Sequence, residues 1–505
     1  MSAHTSSDKM AASSTSSAFA VEVDDRQRRL VPELDFAQAT ENEIGAALKH
    51  AGVVVVKNVI SSDECIRYMT NIVQKVEKLS GNRAKQHVVS TAVNSSLSSK
   101  NCAFIGGKGG AGVSGWTRAN LPPQTRFGLF QSILNNLEPV WEIRKHPHVE
   151  QVFREAYAGI RDGEWNPERM FNKADEDMVV SLDGVNVQPN PAPQFQKQRE
   201  ANDAEFGWRA VRPDHETSDW AHLDQTECFF ANKCVQGQVV LSDTTAAFRC
   251  TPHSHHCFDK IMRDCGWYSP EIQVLAKQFK GKSDFHKFSE RDLTENVYPH
   301  LCDVWRSHAS DSAQHASSKD VIAKHWQIPV RAEKGSMILW LGSTIHSALS
   351  VSQPMQPTTE NPWAGWRGVV YVCMRPRKEF TNEQIAELDR CLEQNLGTNH
   401  WATRVVQPNQ RFDRELDKYS TIIQRYIQDP RLMYDVLEYS PEPRCYLRPA
   451  QRATDEIPHA TSGGDADGGS LPLGKRKGRK SIWVKKEKDR STHESSLRNL
   501  FCEYY

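Results

Sequence analysis

Short apolar runs of strand length constrain the fold of this chain more than any other feature. Residues 52–60, 335–341 and 366–374 are rich in Val, Ile, Leu and Met, and polar or turn-forming residues bound them. Runs of this length and composition are typical of buried strands, whereas helices of a soluble core are longer and show a 3.6-residue period. The sequence therefore predicts a mainly β core.

Two histidines and one aspartate lie close to such runs. His222 and Asp224 precede the strand-like residues 228–231, and His346 follows the run 335–341 after a turn. Side chains alternate along a strand, so His222 and Asp224 would share one face and could reach one ion. Two imidazoles and one carboxylate are the ligand set of non-haem Fe(II) sites with open coordination positions. A lone His-x-Asp triplet is more often a surface pair, but the later histidine favours a metal site.

An arginine begins the third apolar run. Arg367 lies 21 positions after His346 (367 − 346). A guanidinium group offers parallel N–H donors that match a carboxylate. Arg375 and Arg377, near the end of the same run, are rival candidates for such a role.

With these residues the sequence resembles the Fe(II)/2-oxoglutarate-dependent dioxygenases, and within them the phytanoyl-CoA dioxygenase-like family. In that family an arginine on the strand after the distal histidine pairs with the tail carboxylate of 2-oxoglutarate, and Arg367 matches it. Residues 245–255 resemble the family's strand and following turn, with His253 where glycine is usual. Residues 52–65 resemble its entry strand and first helix. The resemblance extends over about residues 40 to 380.

The resemblance implies a double-stranded β-helix, which is a jelly-roll or cupin-like barrel of two facing sheets, flanked by α-helices. It implies a hydroxylase that converts 2-oxoglutarate and O₂ to succinate and CO₂, with Fe(II) as the metal and ascorbate as a supporting reductant. His222, Asp224 and His346 would hold the metal. Arg367, Gln238 and Gln225 would contact 2-oxoglutarate. Halogenating relatives replace the carboxylate ligand with a small residue, so Asp224 favours hydroxylation.

Composition and periodicity predict three parts of the chain. Residues 1–28 are small and polar, and we expect them to be disordered. Residues 29–445 are predicted to form the dioxygenase domain, with C-terminal helices from about residue 380. An insertion at about 258–325 lengthens the spacing between His222 and His346, and we expect it at the mouth of the barrel, where loops set specificity. Residues 446–505 are predicted to be a disordered basic tail.

Charge and cysteine content exclude several classes of protein. The chain of 505 residues has 63 basic and 63 acidic residues, so its overall charge points to neither nucleic acid nor membrane. Its 12 cysteines include no CxxC pair, and we find no secretory signal or membrane-spanning run. We therefore expect reduced thiols and a cytoplasmic or nuclear location.

Three further motifs have two interpretations each. The glycine-rich residues 106–112 suggest a phosphate loop, but Lys108 is not followed by Ser or Thr, which favours a mobile loop. The Cys and His residues of 250–257 suit zinc, but the crowded spacing favours His255 supporting a turn at the barrel mouth. The basic residues 475–488 are either a nuclear signal or nucleic-acid contact, or a solvated flexible terminus.

The substrate, whether a small or a bulky molecule, is not predicted. Three other functions stay open at this point: a catalytically silent barrel that acts as a binding module, a metal-dependent cupin enzyme without 2-oxoglutarate, and a nucleic-acid-directed oxygenase that uses the basic tail. The last would show salt-dependent binding that requires residues 475–490.

Overall fold

The structure is a computed structural model. The chain divides into two compact units, Met1–Pro449 and Ala450–Tyr505, and all described residues lie in the first of them. The structure describes residues 25–79, 121–122, 128–161, 170–174, 176–190, 221–225, 234–267, 286–308, 326–349, 351, 353–403, 405–406, 421–432, 434 and 446–447.

The described core is mainly β-sheet with surrounding helices. The strands are β1 Glu33–Asp35, β2 Val53–Lys57, β3 Leu129–Phe130, β4 Met178–Val180, β5 Val185–Gln188, β6 His222–Leu223, β7 Val235–Val240, β8 Phe248–Cys250, β9 His286–Lys287, β10 Ile328–Val330, β11 Met337–Leu341, β12 His346–Ala348, β13 Arg367–Pro376, β14 Gly397–Thr398, β15 Val405–Val406 and β16 Tyr446–Leu447. The α-helices are α1 Asp25–Leu30, α2 Glu43–Ala51, α3 Ser62–Leu79, α4 Glu138–Arg144, α5 Pro147–Arg161, α6 Phe258–Asp264, α7 Glu290–Asp292, α8 Tyr298–His308, α9 Asn382–Glu393 and α10 Thr421–Gln428. A π-helical turn, Leu293–Val297, joins α7 to α8.

Two sheets form this core. The larger sheet has the order β1-β2-β11-β7-β13-β4-β16, with β5 also paired to β13 and β3 paired to β5. The smaller sheet has the order β10-β8-β12-β6-β9, and β14 pairs with β15 separately. All these pairs are antiparallel except β1 with β2. The described strands do not close into one continuous barrel.

The apolar side chains between the two sheets come from alternate strand positions. Ile338 and Trp340 of β11 belong to one buried cluster with Phe248 and Cys250 of β8. The rings of Phe248 and Trp340 have centroids 4.5 Å apart. Because side chains alternate with period two, these neighbours define the inner face of each sheet.

Helices cover the outer faces. The intervening residues of the larger sheet, such as Leu339 and Val370, share a cluster with α3 and α5. Leu223 and Ile345 on the outer side of the smaller sheet pack with Phe258 and other residues of α6 and α8. The described part of the insertion therefore covers a sheet face rather than only the barrel mouth where we expected it.

The entry strand and first helix that we expected at residues 52–65 are present as β2 and α3. Helix α3 begins with the reciprocal bonds of a capping box, in which Ser61 Oγ accepts from Glu64 N–H and Glu64 accepts from Ser61 N–H. Pro139 lies in the first turn of α4, where its missing N–H costs nothing, and so it does not break the helix. The glycine-rich residues 106–112 and the basic residues 475–488 lie outside the described residues.

The structure describes ordered residues within both segments that we predicted to be disordered, 1–28 and 446–505. Helix α1 begins at Asp25, and Gln27 fixes it by exchanging hydrogen bonds with the backbone of Arg331 at 2.7 and 2.9 Å. Tyr446 and Leu447, assigned to the tail, pair with β4. Hydrogen bonds to distant backbone order both segments, and local composition carries no signal for such bonds.

Two glycines allow α2 and α5 to cross closely. A methyl group at Gly45 would lie 2.4 Å from Gly159 Cα and 2.6 Å from the carbonyl oxygen of Ala156. Both obstacles are backbone atoms, so a side chain at this position cannot be accommodated by a rotamer change.

We predict that Gly45→Ala lowers the free energy of unfolding by about 1–3 kcal/mol, because the added methyl overpacks the crossing. Alanine is the better helix former by about 1 kcal/mol, so propensity alone predicts the opposite sign. Urea denaturation measures the change. The exposed neighbour Ala46 provides a control, since Ala46→Gly should lose only helix propensity. Increased stability of Gly45→Ala would contradict the close crossing.

Candidate metal centre

Strand pairing in the smaller sheet brings the two predicted histidine ligands together. His222 of β6 is the direct cross-strand partner of His346 of β12, although the two residues are 124 positions apart (346 − 222). Their ring centroids are 4.1 Å apart. His346 also lies beside Trp340 and Phe248, so both imidazoles face the interior between the sheets.

Asp224 completes the cluster. Its carboxylate oxygens lie 3.7 Å from His222 Nε2 and 3.1 Å from His346 Nε2. One donor atom from each of the three residues falls within 4.8 Å of the others, and all three residues are buried. The sequence therefore identified three side chains that meet at one point and could hold a metal ion.

Neighbouring groups fix the orientation of these ligands. His346 Nδ1 lies 2.9 Å from Thr344 O, and a carbonyl only accepts, so Nδ1 donates and Nε2 is the ring nitrogen that faces Asp224. Gln236 Nε2 donates to Asp224 Oδ2 at 3.0 Å, and Asp224 N–H donates to Gly342 O at 3.2 Å. Such outer contacts set the tautomer and direction of metal ligands. The donor set and its orientation fit an Fe(II) ion.

The charge of Asp224 is stabilised by imidazoles. Burial raises its pKa, but His400, His222 and His346 outweigh that effect and hold the pKa of Asp224 below its usual range. A deprotonated carboxylate is the form that binds a metal ion.

A fourth imidazole at this centre was missed in the sequence. His400 Nε2 lies 3.5 Å from Asp224 Oδ2, and its Nδ1 is hydrogen-bonded to Asp183. The adjacent Trp401 donates from Nε1 to the backbone carbonyl of Asp224 at 2.5 Å. The sequence around residues 399–401 contains no motif. These residues follow β14 and reach the site only through contacts with Asp183 and Asp224, which are distant in the chain.

His400 belongs to a second group of possible donors. Asp183, Cys373 and His400 present donor atoms within 4.8 Å of one another. Burial lowers the pKa of His400, but Asp183 and Asp224 outweigh it and raise that pKa above its usual value. Burial raises the pKa of the Cys373 thiol, which favours a neutral side chain there.

Arg367 begins β13 and lies on the inner face of the larger sheet, the face that Val369 shares by strand alternation. It is 2% exposed, and its guanidinium donates to Leu349 O at 2.6 Å and to Tyr371 Oη at 3.5 Å. No carboxylate of the described residues lies within ion-pair distance of it. In contrast, Arg375 is paired with Glu379 at 2.8 Å, and Arg377 bonds to Phe380 O and Asn382.

The two predicted glutamines have different positions. Gln238 lies on the inner face, in register with Tyr371, and its carboxamide oxygen has no hydrogen-bond partner in the described part of the chain. Gln225 is fully buried next to Gly342. A Cβ atom added to Gly342 would lie 3.5 Å from the Cβ of Gln225. Contact of either residue with 2-oxoglutarate stays a prediction.

The histidines of 250–257 have a structural role instead. His253 Nδ1 and His256 Nε2 bond to His50 O at 3.0 and 2.9 Å, and His255 Nε2 bonds to Lys49 O at 3.0 Å. These imidazoles cap the last carbonyls of α2, which have no partner within the helix. Among the described residues, this segment contributes no metal-binding group.

Comparisons with known proteins leave the chain without a family. No protein-family model and no curated protein matches it. A putative oxidoreductase from Salmonella typhimurium LT2 is 13% identical with a TM-score of 0.39, and the match covers 75% of this chain and 84% of that one. GIG2 (DUF1479) from Candida albicans is 13% identical with a TM-score of 0.35, and the match covers 82% of this chain and 86% of that one. The epimerase SnoN in complex with Fe³⁺, α-ketoglutarate and nogalamycin RO is 10% identical with a TM-score of 0.30, and the match covers 66% of this chain and 82% of that one. Similarity at this level assigns the chain to none of them.

Within the described part of the chain, none of the helices combines the length and the apolar character that a membrane crossing requires.

We predict that Co(II), as an air-stable substitute for Fe(II), raises the stability of the protein. At a free concentration of 100 times Kd, a ligand that binds only the folded state adds about 2.7 kcal/mol. Thermal unfolding with and without Co(II) measures the shift, which His222→Ala and His346→Ala should each abolish. The matched control is His300→Ala, since His300 of α8 is bonded to Asp264 of α6 at 2.6 Å and lies in neither group of possible metal ligands. Equal shifts in all variants would contradict a metal centre at this position.

Proposed function

We propose that the protein is an Fe(II)- and 2-oxoglutarate-dependent oxygenase that hydroxylates its substrate. The observation that carries this proposal is the arrangement of charged groups between the two sheets. A buried His-Asp-His cluster lies on the inner side of the smaller sheet, and a buried arginine without a carboxylate partner among the described residues lies on the inner face of the larger sheet.

The proposal includes the double-stranded β-helix as the fold. Strands β5, β13, β7 and β11 would form one sheet of the barrel, and β10, β8, β12 and β6 would form the other. The chain changes sheet at every strand from β5 to β8 and again from β10 to β13, which supports a jelly-roll path.

Strand register supports a common ligand for Arg367 and the metal. Gln236, which contacts Asp224, pairs with Cys373, and two residues farther along Gln238 pairs with Tyr371. Residues 367 and 371 have Cα atoms about 13 Å apart on an extended strand, so their side chains lean toward each other to make contact. The guanidinium is thereby directed toward the metal end, and the side chains of Gln238 and Tyr371 lie between.

The buried charge of Arg367 supports an anionic ligand. A guanidinium removed from water is costly unless an anion and hydrogen bonds compensate it. The carbonyl of Leu349 and the hydroxyl of Tyr371 supply no negative charge. The tail carboxylate of 2-oxoglutarate would supply it through two parallel N–H···O bonds.

Each residue then has a distinct task. His222, Asp224 and His346 would hold Fe(II), which when bound supplies O₂ activation coupled to decarboxylation of 2-oxoglutarate. Thr344 and Gln236 keep the ligands oriented. Gln238 has a carboxamide oxygen without a hydrogen-bond partner among the described residues, and Arg367 would hold the far end of the co-substrate.

We predict that Arg367→Met raises the Kd of 2-oxoglutarate roughly 10- to 100-fold, the equivalent of losing a charge-assisted hydrogen-bonded pair. Anaerobic titration of the Fe(II)-loaded protein measures Kd through its visible metal-to-ligand charge-transfer band. Arg377→Met provides the control, because Arg377 is bonded to Asn382 near the end of β13. Metal affinity should not change in either variant.

Succinate release from 2-oxoglutarate, with Fe(II) and ascorbate but no prime substrate, tests the activity itself. We expect slow turnover in the wild type, none in His222→Ala, and weakened turnover in Arg367→Ala. A wild type that shows neither turnover nor a charge-transfer band would refute the oxygenase function and favour a binding module. Metal binding without any effect of 2-oxoglutarate would favour a cupin enzyme of another class.

A further inference from the structure

A turn between α9 and β15 closes over the carboxylate ligand. Thr398 N–H donates to Leu182 O, and Leu182 N–H donates to Thr398 Oγ1, both at 2.9 Å. These bonds join the turn to the residues just before Asp183. As a result His400 and Trp401, two and three residues farther on, reach Asp224 from the residues that follow β14.

His400 lies between two buried carboxylates. Asp183 accepts from its own neighbour Gly184 N–H through Oδ1 at 2.7 Å, and its Oδ2 is bonded to His400 Nδ1. The imidazole plane is therefore fixed, and its Nε2 faces Asp224 Oδ2 at 3.5 Å. The arrangement matches that of His346, whose Nδ1 is bonded to Thr344 O while its Nε2 faces the same oxygen.

His400 nevertheless differs from the three ligands. Its donor atoms group with Asp183 and Cys373, whereas the ligand group contains only His222, Asp224 and His346. The geometry thus places His400 against the ligand carboxylate rather than among the groups that surround the ion.

The backbone of the turn is held as firmly as the imidazole. Trp401 donates to Asp224 O, and its own carbonyl accepts from Arg375 Nη1 at 3.1 Å. Arg375 is fixed in turn by Glu379. Two consecutive residues of the turn therefore contact the backbone and the side chain of Asp224.

We propose that the Asp183–His400 pair is a positioning device for Asp224, which holds the ligand carboxylate in its metal-binding orientation. This inference rests on the proposed metal centre. A carboxylate that binds a metal ion through one oxygen needs neighbours for the other. Asp224 Oδ2 accepts a hydrogen bond from Gln236 at 3.0 Å, and His400 Nε2 lies 3.5 Å from the same oxygen.

Metal affinity tests the inference without reference to turnover. Trp340 has its ring centroid 5.4 Å from that of His346, so Co(II) bound at the centre should quench tryptophan fluorescence. Titration with Co(II) gives Kd, and the Co(II) absorption band reports the ligand geometry. We expect His400→Leu to weaken Co(II) binding about 10- to 100-fold and to change the band, as loss of outer-shell partners of metal ligands does.

Conservative variants separate positioning from folding. His400→Gln keeps an N–H near the place of Nε2 and should retain affinity close to that of the wild type. Asp183→Asn keeps the shape of its side chain but weakens the hold on the imidazole, so its affinity should fall between the wild type and His400→Leu. The control is His300→Leu, which removes an imidazole paired with Asp264 at a distance from the centre and should leave Kd unchanged.

The outcomes distinguish this inference from the proposed function. Wild-type Kd and an unchanged band in a folded His400→Leu would refute the positioning role and leave the metal centre intact. If His400→Leu does not fold, wild-type Kd and band in Asp183→Asn would refute it. Absence of Co(II) binding by the wild type would refute the metal centre and this inference together.

Discussion

The antiparallel pairing of β6 with β12 is the constraint on which the centre depends. It places His222 opposite His346, and a shift of one residue would turn one imidazole to the outer face of the sheet. The outer positions are occupied by Leu223 and Ile345, which pack under α6 and α8. The same apolar packing that covers the sheet therefore fixes the register that brings the histidines together.

Burial of polar groups between the sheets is unfavourable unless hydrogen bonds or charges compensate for the lost hydration. At the metal end, carboxylate, imidazole and carboxamide groups bond to one another, as with Asp224, Gln236 and His400. On the inner face of the larger sheet, the carboxamide oxygen of Gln238 has no hydrogen-bond partner among the described residues, and the partners of Arg367 there are a carbonyl and a hydroxyl rather than a carboxylate. Buried polar groups are normally bonded, so unused capacity in one region is typical of a ligand site.

Three parts of the chain far apart in sequence hold Asp224 in place. Gln236 belongs to the larger sheet, Gly342 lies in the turn between β11 and β12, and Trp401 follows α9. Local opening of any one of these elements would loosen the carboxylate, which connects the stability of the C-terminal turn to metal binding.

The sequence was sufficient to predict the β core and the three side chains that meet at the centre, because these depend on periodicity and on residue chemistry. Local composition could not reveal that α1 and Tyr446 are ordered, or that the histidines after Cys250 cap α2. Nor could it reveal His400, Asp183 and Gln236 around Asp224. Each of these features depends on hydrogen bonds between residues distant in the chain, for which the sequence contains no pattern, so they are visible only in the folded protein.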